Sequence, residues 1–98
     1  MRESVIEKYL VAELRKLRAV VKKVGGPGWR GWPDRMVLFP GGVVHWVEVK
    51  RPRGGRFEPL QLRNHATLRK LGFVVRVVNT KPSVSEYIAA VHTDCKTR

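Results

Sequence analysis

Pro33-Asp34-Arg35-Met36-Val37-Leu38-Phe39-Pro40-Gly41-Gly42-Val43-Val44-His45-Trp46-Val47-Glu48-Val49-Lys50 is the stretch whose reading decides the fold. Two runs rich in β-branched and aromatic residues flank a Pro-Gly-Gly turn signal, so they read as the arms of an antiparallel hairpin. Side chains two apart on a strand share a face, which puts Glu48 and Lys50 together. Loop length then decides where Asp34 falls. A two-residue loop of Gly41 and Gly42 sets Asp34 opposite Val49, on the wrong face from Glu48, because a one-residue slip reverses every side chain. A three-residue loop, Pro40 to Gly42, pairs Phe39 with Val43 and brings Asp34 opposite Glu48. Such loops commonly hold a glycine in the left-handed region, which Gly42 can supply. The three-residue register is therefore expected.

In that register two carboxylates and an ammonium group converge. Asp34 and Glu48 offer hard oxygen ligands suited to Mg²⁺. A metal held there polarises a phosphoryl oxygen and lowers the pKa of an attacking water, with Lys50 beside that water or the developing negative charge. A Glu and a Lys at alternate strand positions are, taken alone, commonplace on a solvated face. Weight comes from the Pro-Asp that opens the preceding strand, from the register, and from the scarcity of acids: 8 Asp and Glu against 20 Lys and Arg in 98 residues. The formal charge of +12 and pI near 11.0 favour a polyanionic partner, because self-repulsion of that size works against a compact state. Nucleic acid is the natural candidate. No apolar run approaches the length of a bilayer span and nothing at the start reads as a secretory leader. The combination points to a nuclease site.

Cys95 is the sole cysteine, which excludes a disulfide framework and a zinc cluster and points to a reducing compartment. His45, His65 and His92 lie apart, with no second ligand at helical spacing and no nucleophile motif, so each reads as a packing or surface residue. His65 alone shares a helical spacing with Gln61.

Around the hairpin the pattern is helical at the start, where Ile6, Tyr9, Leu10, Leu14 and Leu17 recur from Ser4 to about Leu17. Glu3 falls within roughly a sixth of a turn of Ile6 on the helical wheel, so its carboxylate can reach inward. Val20 to Val24 reads as a strand. Gly25 to Trp32 is a loop whose Trp29, Arg30 and Trp32 can stack on an unpaired base or pair with phosphate, or cap the core of a small domain. A second basic loop, Arg51 to Arg56, follows Lys50 directly, placing Arg51, Arg53 and Arg56 to clamp flanking phosphates. Lys22, Arg30 and Arg35 complete the cations expected to face nucleic acid. Pro59 to Leu71 carries proline at a helix start and Gly72 past its end. Phe73 to Val78 is a nearly continuous apolar run that reads as a central strand covered on both faces. Ser83-Val84-Ser85-Glu86 reads as a capping box opening a last helix over Val84 to Val91. Residues 1–92 form one domain in this reading, with a polar tail over 93–98.

The resulting α/β order, an αβββαβ core with a mixed sheet flanked by helices and an extra C-terminal helix, resembles the restriction-endonuclease-like PD-(D/E)XK nuclease superfamily. Glu3 to Leu10, Gly31-Trp32-Pro33-Asp34-Arg35, the Gly41-Gly42 turn, Val47 to Pro52, Gly54-Gly55-Arg56 and Pro59-Leu60-Gln61 together look like the VRR-NUC family, over about residues 3 to 90. The resemblance implies roles. Asp34 and Glu48 become metal ligands with the Val49 carbonyl as a further oxygen, and Lys50 orients the nucleophilic water or stabilises the transition state. Glu3, with Glu7 as the fallback, becomes the supporting acid of the first helix, and Gln61 holds Lys50 or the scissile phosphate. Trp32 stands where the family often has a smaller or more flexible residue.

The likeness further implies a metal-dependent, structure-selective DNA endonuclease of the small, stand-alone phage type. Mg²⁺ is the expected cofactor, with Mn²⁺ as its substitute. A homodimer cutting branched DNA such as four-way junctions is expected, in the cytoplasm of a bacterial or phage-infected cell. Two rivals accompany it, a non-catalytic basic nucleic-acid-binding module and an accessory subunit of a phage complex. Carboxylates facing a polyanion have no use in a mere binder, which favours the enzyme.

Overall fold

The computed structural model describes residues 2–53 and 55–96, residues 93–96 as backbone only. Element order is α1 (Glu3–Lys16), β1 (Val20–Lys23), β2 (Arg35–Phe39), β3 (Val43–Val49), α2 (Pro59–Lys70), β4 (Val74–Val78) and α3 (Lys81–Lys96). The strands form one sheet in the order β1-β2-β3-β4, with β3 and β4 parallel and the other pairs antiparallel. Helices α1 and α3 pack together on one face, and α2, the crossover between β3 and β4, covers the other.

The hairpin closes in the expected register. Phe39 pairs with Val43 and Arg35 with Val47, so the next position outward sets Asp34 against Glu48. Gly41 and Gly42 both take left-handed φ, at 88° and 79°, which lets three residues turn the chain. Alternation along β3 then sorts the core. His45, Val47 and Val49 face α1 and α3, among Ile6, Leu10, Leu14, Val37, Val78, Val84 and Tyr87. Trp46 and Glu48 face α2, Trp46 packing with Leu68 and Val75.

Helix α1 ends at the expected place because Arg18 adopts a left-handed φ of 62° and the Ala19 amide donates back to the Leu14 carbonyl at 3.2 Å, turning the chain into β1. Two expectations are corrected. The run Phe73 to Val78 is not a central strand: among the described residues β4 lies at an edge, paired with β3 alone, with Phe73 39% and Val74 38% exposed. Its nearly continuous apolar character comes from having a helix over each face, and says nothing of its outer edge. The last helix starts at Lys81 rather than Val84, because the reciprocal cap is made by Thr80 and Ser83. The Ser83 amide donates to Thr80 Oγ1 at 3.1 Å, and the Thr80 amide to Ser83 Oγ at 3.0 Å. The helix runs past Val91 to Lys96, so the start of the expected polar tail is helical. Thr97 and Arg98 of that tail, and Gly54 of the basic loop, lie outside the described residues.

The loop from Gly25 to Trp32 is clamped to α2. Asn64 Nδ2 donates to the Arg30 carbonyl at 3.1 Å. Gly31, at φ 81°, lies so close to α2 that a Cβ there would sit 2.6 Å from Leu60 Cγ and 2.7 Å from Asn64 Nδ2. Gly31→Ala is expected to destabilise the protein by about 1–3 kcal/mol through backbone strain and this clash. An unchanged urea midpoint would show that the clamp is dispensable.

Candidate active site

Four chain segments meet at one end of the sheet. Asp34 stands just before β2 and Glu48 near the end of β3. Lys50 follows one residue beyond β3, its amide continuing the ladder by donating to the Val78 carbonyl at 2.9 Å. The first turns of α1 and α2 bring Glu3 and Gln61 to the same end. Glu3, Glu48, Val49, Lys50, Arg51 and Arg56 line an open cleft of about 580 Å³.

The two carboxyl groups are hydrogen-bonded to each other. Asp34 Oδ1 also accepts from the Val49 amide at 3.3 Å. Burial and the neighbouring Asp34 push the Glu48 carboxyl up from 4.5 to about 8, with Lys50 partly opposing. Asp34 is raised too, by burial first and more weakly by Glu3, while Glu48, Arg35 and the Val49 amide hold it down. Glu48, only 4% exposed, thus keeps a proton at neutral pH that it shares with Asp34.

Lys50 is held by three neighbours. Its Nζ donates to Gln61 Oε1 at 3.2 Å and to the Arg56 carbonyl at 3.0 Å, and it stands 4.8 Å above the Phe57 ring. Gln61 Oε1 also accepts from the Glu58 amide at 3.0 Å, capping α2 with the same atom that holds the lysine.

Of the two candidate acids on α1, Glu3 is the one at the cleft, and its charge reaches both Asp34 and Glu48. Glu7 is taken by Arg35, whose Nη2 pairs with Glu7 Oε1 and whose Nε donates to the same atom at 2.9 Å. Arg35, expected among the nucleic-acid-facing cations, is instead 7% exposed and spends a further donor on the Asp34 carbonyl at 2.9 Å. It ties α1 to the start of β2. Lys22, Arg30, Arg51, Arg53 and Arg56 are exposed, as phosphate-facing cations must be.

Sequence reading undervalued His65 and passed over Phe57. His65 is 2% exposed, with Nε2 3.4 Å from Glu48 Oε1, and neither atom has a hydrogen-bond partner. Burial, helped by Arg69 and Lys50, pushes the His65 pKa down, so the ring is neutral against a protonated Glu48. Its spacing of four from Gln61 was the available signal, since residues four apart on a helix share a face. Phe57 meets the His65 ring edge-on at 5.7 Å and so connects it to Lys50.

Among the described residues no group of three His, Cys, Asp or Glu side chains could hold a metal ion. The donor set is two carboxylates and the cleft-lining Val49, all offering oxygen. A buried Glu48 Oε1 without a partner, in a carboxyl pair whose charged forms burial disfavours, is what a hard cation would satisfy. The residues fit such an ion.

No family model matches the chain. A protein described as "Putative nuclease p44", from Acyrthosiphon pisum secondary endosymbiont phage 1, is 44% identical over 92 residues, covering 94% of this chain and 97% of that protein. A solved structure described as "VRR_NUC domain" superposes with a TM-score of 0.82 at 36% identity, over 89% of this chain and 94% of that one. Likeness at this level shows more than a shared fold, and the chain belongs to the VRR-NUC family.

Proposed function

We propose that the protein is a divalent-metal-dependent DNA endonuclease, with Mg²⁺ the natural ion and Mn²⁺ able to replace it. One observation carries the reading: the hairpin register sets Asp34 against a buried Glu48, beside a lysine fixed by Gln61, in a cleft rimmed by arginines. Membership of a nuclease family and the likeness to a phage protein named as a nuclease support it.

Asp34, Glu48 and the Val49 carbonyl would hold the ion, which when bound supplies Lewis-acid polarisation of a phosphoryl oxygen and a more acidic water. Glu48 must release its proton for this, and the neutral His65 beside it is placed to keep the carboxylate oriented. Lys50 would orient the nucleophile or stabilise the charge developing on phosphorus-bound oxygen, its position set by Gln61 and Phe57. Arg51, Arg53 and Arg56 would neutralise flanking phosphates. The substrate in this reading is branched DNA such as a four-way junction. Such a junction needs paired incisions, so a homodimer with two sites matches its symmetry.

Purified protein with Mg²⁺ or Mn²⁺ should cut one or more of four-way junctions, flaps and linear duplex, and EDTA should stop it. Lys50→Ala should lower the rate by about 10²–10³-fold. Asp34→Ala and Glu48→Ala should abolish cutting while leaving DNA affinity equal or higher, since neither change removes a cation that meets phosphate and the first removes a negative charge. No cutting in either metal, or wild-type rates from Lys50→Ala, would sink the proposal.

Replacing Arg51, Arg53 or Arg56 by Ala should weaken binding across all substrates and reduce the salt slope by about one for each phosphate no longer neutralised. An unaltered slope would place these arginines away from the backbone.

Glu48 also makes stability pH-dependent. Its folded pKa of about 8 exceeds the ordinary 4.5, so the folded state holds a proton the unfolded chain has lost between those values. Stability from this group is full below the lower value and is lost as pH rises through the upper one. In EDTA the melting temperature should therefore fall over that window, and Glu48→Gln should flatten the fall. A profile identical in Glu48→Gln would assign the dependence elsewhere.

A further inference from the structure

The loop between β1 and β2 carries an indole that core packing does not account for. Trp32 lies against Trp46 with ring centroids 5.8 Å apart. Trp29 rests on both, 5.9 Å from Trp32 and 6.4 Å from Trp46, yet stays 41% exposed. Leaving so large an aromatic surface in water gives up hydrophobic stabilisation. The loop is not slack, because Gly31 and the Arg30 carbonyl hold it to α2, the helix that carries Gln61 and His65. Trp46, the ring beneath, lies two residues before Glu48 on the same face of β3, a separation of roughly 7 Å along the strand. Arg30 is exposed beside the indole. Lys22, also exposed, pairs across the sheet with Met36, which packs into this same cluster.

A fixed aromatic face, flanked by cations and adjoining the proposed phosphodiester site, has the chemistry of a nucleobase platform. Bases within a duplex are already stacked on both faces. Only an unpaired one has a face to offer, and stacking accepts any base because each has a π-surface. We infer that Trp29 is a stacking platform for an unpaired nucleobase next to the scissile phosphate. Flaps, gaps and branch points are then selected by the unpaired base they present, whatever its identity. The placement beside a scissile bond rests on the nuclease reading, whereas the stacking itself does not.

A flapped duplex with 2-aminopurine unpaired at the branch point tests this directly, because contact with an indole quenches its fluorescence. In EDTA, where nothing is cut, the wild-type protein should quench the probe and bind the flap in preference to the same duplex fully paired. Trp29→Ala should lose the quenching and about tenfold in flap affinity, with duplex affinity unchanged, and Trp29→Phe should recover most of that affinity. Equal losses on flap and duplex, or quenching that survives Trp29→Ala, overturn the platform. Quenching and flap preference without any cutting in Mg²⁺ would retain the platform and reject the nuclease reading. Cutting without quenching would do the reverse.

Discussion

Two carboxyl groups are forced together at one end of the sheet, and most of the surrounding architecture follows from that constraint. A three-residue turn with two left-handed glycines sets the register, and the register sets Asp34 against Glu48. Neither acid can ionise freely there: burial raises both, and the charge of Asp34 raises Glu48 further. Around them the chain supplies compensation in layers. Arg35 draws on the Asp34 backbone and holds Glu7 away from the cleft. His65 closes the buried side of Glu48 with a neutral ring. Only the side facing solvent is left for positive charge.

Lys50 and Gln61 show how one atom can serve fold and site together. Gln61 Oε1 caps the first turn of α2 by accepting from the Glu58 amide, and the same oxygen accepts from the lysine. The position of Lys50 is thereby tied to the start of a helix, an element more rigid than the loop from which the lysine springs. Phe57 adds a ring face beneath the ammonium group. A lysine so restrained loses little further rotamer freedom when a phosphate arrives.

Hairpin, register and cleft end of the sheet were legible because turn chemistry and strand alternation are local. Gly41 and Gly42 permit one turn, and counting outward from it reaches Asp34 and Glu48. Glu3 and Glu7 could not be separated by sequence, since both lie near the inner face of α1 and the choice depends on an arginine 28 residues after Glu7. Arg35 was misjudged for the same reason: an arginine in a +12 chain looks like a phosphate contact until its acid partner is known. Strand β4 misled because periodicity reports how many faces are covered and carries no information about neighbours. The last helix began early because Thr80 and Ser83 cap as well as the Ser83 to Glu86 pattern would, and helical propensity alone does not rank them.

Strands β1 and β4 form the two margins of the sheet among the described residues, each with one side of its backbone outside the ladder. Open margins invite further strands from other molecules, and small α/β domains are exposed to that hazard. On this chain the margins carry Lys22 and Lys23 on one side and Arg76 on the other, all exposed. Two copies approaching margin to margin would bring like charges together before any ladder could form. The basic excess that draws the protein toward a polyanion therefore also acts as a gatekeeper against runaway sheet extension, and acidic replacements at Lys22 or Arg76 would alter solubility as much as nucleic-acid affinity.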